Sequence, residues 1–583
     1  MDMTPTPSTR TAIAGSLREM AGLLALAGES PFRARAYERA ATAIEHLDVD
    51  LAALVEAGRL TELPGIGRGI AAMIAELQRT GRSKLLDDLR ERMPPGALSL
   101  GRIPGLSLDK IRALHAALGV ETIAELRKAC EEGRVRGVKG MGEKTERRLL
   151  DRIRGLEHPV EVRLRLDRAL TIAESFAAHL RTAPGVVRAE IAGALRRRAE
   201  TVDRLVFVAE APMPGPVIGH ALASPLVASI SGRAAGTCSA VLADGIPIEL
   251  RVVEPDRYAG TLLDATGSAD HLRRLTRVAR ERGLELSPEG LASKASGARV
   301  SAAGEEDLYG HLGLPYMPPE LREGNGEVEA AEGGLLPDDL VVAGDLRGLV
   351  HCHTVYSDGK HTIAEMARAA DAMGMRYLTI TDHSPTAFYA RGLDVDRLHA
   401  QWEEIARVQE TVSVRLLRGT ESDILADGGL DYPDVILEQL DVIIASIHAR
   451  HRMDADRMTR RLVRAMQHPC FKIWGHALGR FVLSRPPIEC RVEEVLDAAA
   501  AGRAAIEING DPARLDLEPR WIRAARERGL RFVVSTDAHS VDALANQRYG
   551  VAMARRGWVR RGEVLNTLDT EAFVRAVCPA GRV

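Results

Sequence analysis

The side chains best suited to chemistry lie beyond residue 345. His351-Cys352-His353, Asp358 in Ser357-Asp358-Gly359, Thr381-Asp382-His383, Glu421 in Gly419-Thr420-Glu421, His448 in Ser446-Ile447-His448, His476 after Gly475, and Thr536-Asp537-Ala538-His539 each follow an apolar run. Imidazole and carboxylate are the ligands of zinc and of the harder transition metals. Six His and three carboxylates (His351, His353, Asp358, His383, Glu421, His448, His476, Asp537 and His539) exceed the four ligands of one tetrahedral ion. They suit two or three divalent ions, Mn2+, Zn2+ or Fe2+, sharing a bridging carboxylate. A lone His at a strand end is more often a hydrogen-bonded core or surface residue, and Asp358 before a glycine is a common turn former. Neither explains so many separated ends all carrying ligand types. Ions of this kind acidify water and spread charge on a phosphoryl group, which suits phosphoester hydrolysis.

Such residues need a frame. From residue 346 onward, β-like runs at 377–380, 442–445, 472–474, 505–508 and 532–534 alternate with helical ones. That alternation predicts a parallel sheet, closed at this length into a barrel with its functional residues just past the strands. In H-x-H and D-x-H, residues two apart on a strand share a face, so both imidazoles reach one ion.

Three turns of one type lie upstream. Leu63-Pro64-Gly65-Ile66-Gly67, Ile103-Pro104-Gly105-Leu106-Ser107 and Val138-Lys139-Gly140-Met141-Gly142 each precede a helical run. A Gly-rich helix entry leaves backbone N–H groups pointing outward, a nest that grips phosphate without reading bases. One alone is often only a turn. Three in tandem, the last two in a stretch (101–150) with 11 Lys plus Arg against 7 Asp plus Glu, predict contact with a nucleic-acid backbone. Gly65, Gly67, Gly105, Lys139, Gly140, Gly142 and Lys144 are the expected contacts. Ser107 replaces a glycine and marks the second copy as a packing relic.

The length of 583 residues allows three or four domains. A net charge of −3 excludes a polyanion binder driven by its overall field, so nucleic-acid contacts must be local. Cys130, Cys238, Cys352, Cys470, Cys490 and Cys578 form no C-x-x-C pair. That argues against a disulfide framework and for the cytoplasm. No secretory pattern opens the chain and no apolar run reaches the roughly 18 residues of a membrane span, so no membrane contact is expected. Runs at 186–193, 205–209 and 247–253 read as strands of an α+β region, and the acidic, Gly-rich stretch 322–343 reads as a linker.

In residue type and order, the C-terminal set resembles the polymerase-and-histidinol-phosphatase (PHP) domain over about residues 345–575. The resemblance implies a distorted (β/α)7 barrel with a trinuclear metal centre, the nine residues above standing one for one at its ligand positions. Asp382 is then a group that orients a ligand, and Arg450, two residues past His448, a candidate for the scissile phosphate, with a surface salt bridge as its competing role. Pro31-Phe32-Arg33-Ala34-Arg35-Ala36-Tyr37 and the first turn resemble the lyase-type domain of bacterial family-X DNA polymerases. Gly193-Ala194-Leu195-Arg196-Arg197, Thr266-Gly267-Ser268 and the stretch 314–322 resemble its palm and thumb. The whole is similar to the bacterial polymerase X that carries a C-terminal PHP nuclease. It implies a multidomain chain: an α-helical, helix-hairpin-helix region (lyase-like 1–90, fingers-like 91–158), an α+β nucleotidyltransferase-like palm and thumb (159–320), a linker (321–344) and an α/β PHP barrel (345–583).

The polymerase half departs from that family where synthesis needs it. Nucleotidyl transfer uses two Mg2+ held by three carboxylates. The family's paired aspartates fall on Arg204 and Val206, and the third on Glu249. Asp203 would serve only after a one-residue slip, which turns it to the other face of the strand. The phosphate-binding motif at 193–197 has lost its hydroxyl, Asp264 and Ala265 replace the aromatic pair, and Leu272 replaces the Asn after His271. Met73 stands at the candidate lyase lysine and forms no imine. The expectation is a silenced polymerase kept as a DNA-holding platform, with Arg196 and Arg197 touching phosphate. The barrel is then a metal-dependent 3′→5′ exonuclease or 3′-end-cleaning enzyme of the DNA-repair type, monomeric, acting on gapped or nicked DNA or on 3′ ends. The rivals are an active polymerase with a PHP proofreader, a small-molecule phosphatase of the histidinol-phosphate type, and a non-catalytic DNA scaffold.

Overall fold

The computed structural model describes residues 10–27, 31–45, 51–63, 66–101, 103, 106–157 and 162–578. These form two compact units, Met1–Glu161 and Val162–Val583.

The described part of the first unit is helical and holds two apolar cores. One gathers Ile13, Leu17, Leu24, Tyr37, Ile44 and Ile74, the other Leu100, Ile111, Leu114, Leu126, Val135 and Ile153. The described residues that flank the three turns are held alike. Leu63 N donates to Leu60 O (3.2 Å), Ile103 N to Leu100 O (3.0 Å) and Val138 N to Val135 O (3.0 Å). Three residues on, Ile66 N, Leu106 N and Met141 N donate to Leu63, Ile103 and Val138 O at 3.1, 3.1 and 2.9 Å. Each turn buries its closing apolar residue, Ile66, Leu106 or Met141. The helices Arg68–Thr80, Leu108–Leu118 and Glu143–Glu157 then begin almost at once. Ser107 (φ −74°, ψ 159°) has the extended N-cap backbone of Gly67 (φ −83°, ψ 169°). That conformation needs no glycine, so the second copy keeps the fold of the others.

In the second unit the palm sheet comprises β1 (Arg188–Ala192), β2 (Leu205–Glu210), β3 (Val227–Ala234), β4 (Thr237–Leu242) and β5 (Pro247–Val253), in the order β1-β2-β5-β4-β3. Thumb helices Pro255–Thr266, Ala269–Glu281 and Glu305–His311 follow.

The stretch expected as a linker is folded. Arg322 and Glu327 are fully buried, and Glu327 accepts from His271 Nδ1 at 2.7 Å. Val341 N donates to Val559 O of the barrel (3.1 Å). The acidic residues that give this stretch its disordered look are ion-pair partners. Glu329 pairs with Arg274, Glu332 with Arg277 and Asp339 with Arg560.

The barrel strands are β6 (Gly348–Leu349), β7 (Tyr377–Ile380), β8 (Arg415–Asp423), β9 (Val442–Ser446), β10 (Ile473–Trp474), β11 (Ala505–Asn509) and β12 (Phe532–Ser535), all parallel and in chain order. Helices cover the outside, so strands such as β9 are buried along their whole length and read as apolar runs. Closure comes beyond β6 and β12. His353 N donates to Ala538 O (2.8 Å), Ala538 N to His351 O (3.0 Å) and Thr536 N to Val350 O (3.2 Å). The barrel seam therefore passes through the candidate metal ligands.

Candidate metal centre

Glu421, near the end of β8, is the hub. Its Oε2 lies 2.9 Å from His383 Nδ1, 3.4 Å from His351 Nε2 and 3.6 Å from His353 Nε2. Its Oε1 lies 2.7 Å from His476 Nε2 and 3.2 Å from His448 Nε2. Asp537 Oδ1 is 3.3 Å from His353 Nε2 and 3.7 Å from His351 Nε2. Asp358 Oδ1 is 3.4 Å from His539 Nε2 and 3.7 Å from His383 Nε2. The fold thus brings all nine sequence candidates together. Ligand atoms converge within 4.8 Å in three overlapping groups: His351, His353 and Asp537; His383, Glu421 and His448; His353, Asp358, His383 and His539.

Two atoms bound about 2.1 Å from one tetrahedral ion stand about 3.4 Å apart. Many of these separations match that value and are too long for hydrogen bonds. His351 Nε2, both ring nitrogens of His353, His383 Nδ1, His448 Nε2, His476 Nδ1 and Asp537 Oδ1 are buried without a well-formed hydrogen bond, although His383 Nδ1 and His448 Nε2 come within 2.9 and 3.2 Å of Glu421. Buried polar atoms are nearly always paired, so a convergent set of orphans fits a place for cations.

The electrostatics divide the rings into two groups. Burial, with the charges of His539 and His383, holds His353 down to about 3. Burial and Arg514 lower His476. Both rings are neutral and have lone pairs to give. Burial also opposes protonation of His351, His448 and His539, but the facing carboxylates outweigh it, raising His351 well above its usual value and the other two to about 9. Burial likewise works against ionising Glu421 and Asp537, and the surrounding cationic rings, with Arg514 at Asp537, overcome it.

The ligand pairs do not converge by strand alternation, as the spacing suggested. His351 (φ +68°) and Asp537 (φ +47°) have left-handed backbones just past the strand ends. The turn, not the pleat, aims these side chains. Such conformations cost roughly 1–3 kcal/mol each and persist where the surroundings impose them.

Two supporting carboxylates were missed in the sequence. Glu507, buried in the middle of β11, accepts from His351 Nδ1 (2.5 Å) and from the His476 backbone N. Asp423 accepts from His448 Nδ1 (2.8 Å). Carboxylates of this kind fix the tautomer and orientation of a metal-binding imidazole. A glutamate inside an otherwise apolar buried strand, and the alternation Glu421-x-Asp423, were the available signals. Arg514 was also missed. It is 13% exposed, its Nε lies 2.9 Å from Asp537 Oδ2, and its guanidinium shares the Phe481 ring with that of Arg485.

The other candidates divide. Asp382 is buried beside His383. It accepts from Thr354 N and Oγ1 (2.7 Å each) and Gln401 Nε2 (2.6 Å), so it positions the loop before Asp358. Arg450 is exposed, and among the described residues it makes no salt bridge. Lys139, Gly140, Gly142 and Lys144 are exposed at the third turn, with Gly140 at φ +81°, and Gly67 is exposed at the first. Gly65 and Gly105 lie outside the described residues. Arg196 and Arg197 are not the outward phosphate contacts expected. Arg196 pairs with Glu305 (2.7 Å) and donates to Thr266 Oγ1, and Arg197 pairs with Glu323 (3.1 Å). Their partners are far along the chain, which hid the pairing.

The palm has no comparable centre. Val206 packs with Ala192, Val208, Tyr258 and Leu262. It stands opposite Glu249 in the β2–β5 register, and Glu249 is neutralised by Arg251 (2.8 Å), which also holds Asp264 (2.7 Å). Among the described residues, the palm brings no three ligand-type side chains together.

Family models match in four places: a helix-hairpin-helix domain over 8–83, a SAM-like helix-hairpin-helix tandem over 97–154, a DNA polymerase beta thumb over 261–323 and a PHP domain over 350–511. With the seven-stranded barrel, they define a multidomain, DNA-binding enzyme of polymerase type joined to a metal-dependent, hydrolase-like PHP barrel. Over 565 residues, 96% of this chain and 98% of the relative, the sequence is 34% identical to the DNA polymerase/3′-5′ exonuclease PolX of Bacillus subtilis. The chain belongs to this bacterial PolX family. Shorter matches reach a probable phosphatase of Caldanaerobacter subterraneus (32% identical over 207 residues, 32% of this chain and 74% of the relative) and one of Thermoanaerobacter sp. (30% over 229 residues, 37% and 89%). No helix among the described residues is long and apolar enough to cross a membrane.

Proposed function

We propose that the barrel is a metal-dependent phosphodiesterase that trims DNA 3′ ends in the 3′→5′ direction, and that the palm no longer synthesises DNA. The observation that carries this is the contrast between nine converging ligand-type residues with orphaned atoms in the barrel and a palm whose carboxylate positions hold Arg204, Val206 and a neutralised Glu249. The enzyme works as a cytoplasmic monomer on gapped, nicked or frayed DNA, in repair.

His351, His353, Asp358, His383, Glu421, His448, His476, Asp537 and His539 would hold two or three divalent ions, of Mn2+, Zn2+ or Fe2+, with Glu421 shared. When bound, such ions supply an acidified water and positive charge for the phosphoryl oxygens. Glu507 and Asp423 keep the His351 and His448 rings in the binding tautomer. Asp382 holds the loop before Asp358. Arg514, beside Asp537, offers a buried positive charge to a phosphate oxygen, and Arg450 an exposed one. The turns at Gly67 and at Lys139, Gly140, Gly142 and Lys144 grip the backbone of the DNA and leave sequence unread. A small-molecule phosphatase has the shorter relatives in its favour, but gives the helix-hairpin-helix repeats no task.

The test uses the full chain with Mn2+ and a 5′-labelled oligonucleotide. Stepwise loss from the 3′ end is expected, abolished in His351→Ala. Persistent degradation by the variant would move the chemistry out of the barrel. Primer extension with dNTPs should give no product, and clear extension would overturn the reading of the palm.

A further inference from the structure

Two aromatic rings beside the metal centre are left uncovered. Phe388 is 84% exposed and Tyr389 62%. The Tyr389 ring centroid stands 6.2 Å from that of His383 and 6.4 Å from that of His448. Phe388 lies a further 6.4 Å from Tyr389, with the two rings at 75°. Isolated apolar side chains are common on surfaces. Two adjacent aromatics at the edge of a polar centre are a different case, because they give up the largest burial gains the loop has to offer.

The loop is not loose. It buries its smaller apolar residues, Ala387, Ala390 and Leu393, to 1% exposure or less, while the larger rings face out. Thr386 donates through its hydroxyl to Asp423 (2.7 Å) and through its backbone N to Asp431 (2.7 Å). Leu393 N donates to His383 O (2.8 Å), and a Cβ on Gly392 would fall 1.9 Å from Ser384 O. Asp423 is also the carboxylate that accepts from His448 Nδ1. The rings are therefore held in a fixed relation to two of the metal-site imidazoles, a precise frame for a surface that the described residues leave largely uncovered.

The missing partner must be flat and apolar on its faces and must arrive joined to a phosphodiester. Those are the properties of a nucleobase, and any base will do, because every base has a π-face. We propose that Phe388 and Tyr389 form a stacking platform for unpaired nucleobases at the DNA 3′ end, so that the barrel receives a frayed, single-stranded terminus. This rests on the reading of the barrel as a DNA-end phosphodiesterase. A paired terminus keeps its bases stacked in the duplex and gains nothing from the rings. A small phosphomonoester has no base to place on them.

The test separates the two readings. Full-length protein in EDTA, where nothing is cut, is mixed with a single-stranded oligonucleotide carrying 2-aminopurine at its 3′ end. Stacking should quench the emission in the wild type. Phe388→Ala and Tyr389→Ala should restore it and Phe388→Tyr should not. With Mn2+, each alanine variant should raise KM for single-stranded DNA about 10-fold, within the roughly 5- to 150-fold that loss of one base–aromatic stack carries. Neither should change KM for the same DNA ending in an abasic residue. If the wild type degrades DNA but quenching and KM are the same in all variants, the platform is wrong and the nuclease reading stands. If the wild type quenches the probe in a platform-dependent way yet degrades no DNA, the nuclease reading fails and the platform survives as a binding site. Equal KM effects on normal and abasic ends would assign the rings to folding of the loop and overturn the proposal.

Discussion

The barrel and the palm pose the same problem and show opposite outcomes. Each is a parallel-containing sheet whose strand ends are the place for groups that hold divalent ions. In the barrel, imidazoles and carboxylates point at one another with ring nitrogens left over. In the palm and thumb the carboxylates have found partners. Arg251 joins Glu249 and Asp264, Glu305 accepts from Arg196 and Arg322, and Glu323 takes both Arg197 and Arg556. Among the described palm and thumb residues, no buried imidazole or carboxylate atom is without a hydrogen bond. A working site keeps buried polar atoms unsatisfied because a ligand will complete them. A site with no ligand to complete it favours satisfied pairs, since each buried orphan costs about 1–3 kcal/mol. The distribution of unsatisfied imidazole and carboxylate atoms thus separates the two regions more sharply than the count of acidic residues does.

The harshest challenge to this contrast is to remove the hub of one site and its counterpart in the other. Glu421→Ala should lower nuclease activity by about 10³-fold or more, since a bridging ligand carries several kcal/mol of the charge stabilisation. Bound metal per chain should fall with it. Glu249→Ala in the palm should leave both unchanged. Equal losses would mean that the palm takes part in hydrolysis. Milder changes act on the supports. Glu507→Gln and Asp423→Asn should each weaken metal binding by about 10- to 100-fold, read by competition with a chelating dye. Unaltered affinity would make these carboxylates packing groups only. Metal removal should act on stability as well. With metal at about 100 times its Kd, the loaded barrel gains about 2.7 kcal/mol per site by mass action. EDTA should therefore lower the thermal midpoint, and Glu421→Ala should show a much smaller EDTA effect than the wild type.

The sequence disclosed these features unequally, for physical reasons. The nine ligand candidates were legible because few residue types can bind such ions and because each follows an apolar run. A parallel barrel followed from the same runs, and its seven strands from the resemblance to the PHP domain. Glu507 and Asp423 were not legible as a pair of supports: what selects them is the second nitrogen of a ring brought close only by folding, and for Glu507 that ring lies 156 residues away. Arg196 and Arg197 were misread because the stretch 193–197 resembles a phosphate-binding motif, whereas their partners Glu305 and Glu323 lie 109 and 126 residues further on. The stretch 321–344 was read as a linker for a related reason. Its acidic residues are held by basic partners such as Arg274, Arg277 and Arg560, and charge pairing between distant segments leaves no periodicity to detect.

The smallest expected effect concerns what the palm still does for the barrel. Glu200 lies in the palm, yet its carboxylate pairs with Arg480 of the barrel at 2.5 Å. Arg480 donates in turn to the backbone carbonyls of Arg514 (3.0 Å) and Leu515, and Arg514 carries the charge beside Asp537. One apolar cluster also runs from Leu166, Phe207 and Leu250 in the palm through Val341 to Trp474 and Ile506 in the barrel. The palm is thus a buttress whose last polar strut ends one residue from the metal site. Glu200→Ala leaves Arg480 its contacts with Glu518 and the two carbonyls, so the loss should be partial, about 1 kcal/mol of stability. The turnover of DNA should fall a few-fold through Arg514, with KM nearly constant because the helix-hairpin-helix grip is untouched. Glu200→Asp should recover part of the rate. An unchanged turnover together with a lowered thermal midpoint would show that the palm steadies the barrel without aligning its chemistry, and the two regions would then share a core but no function.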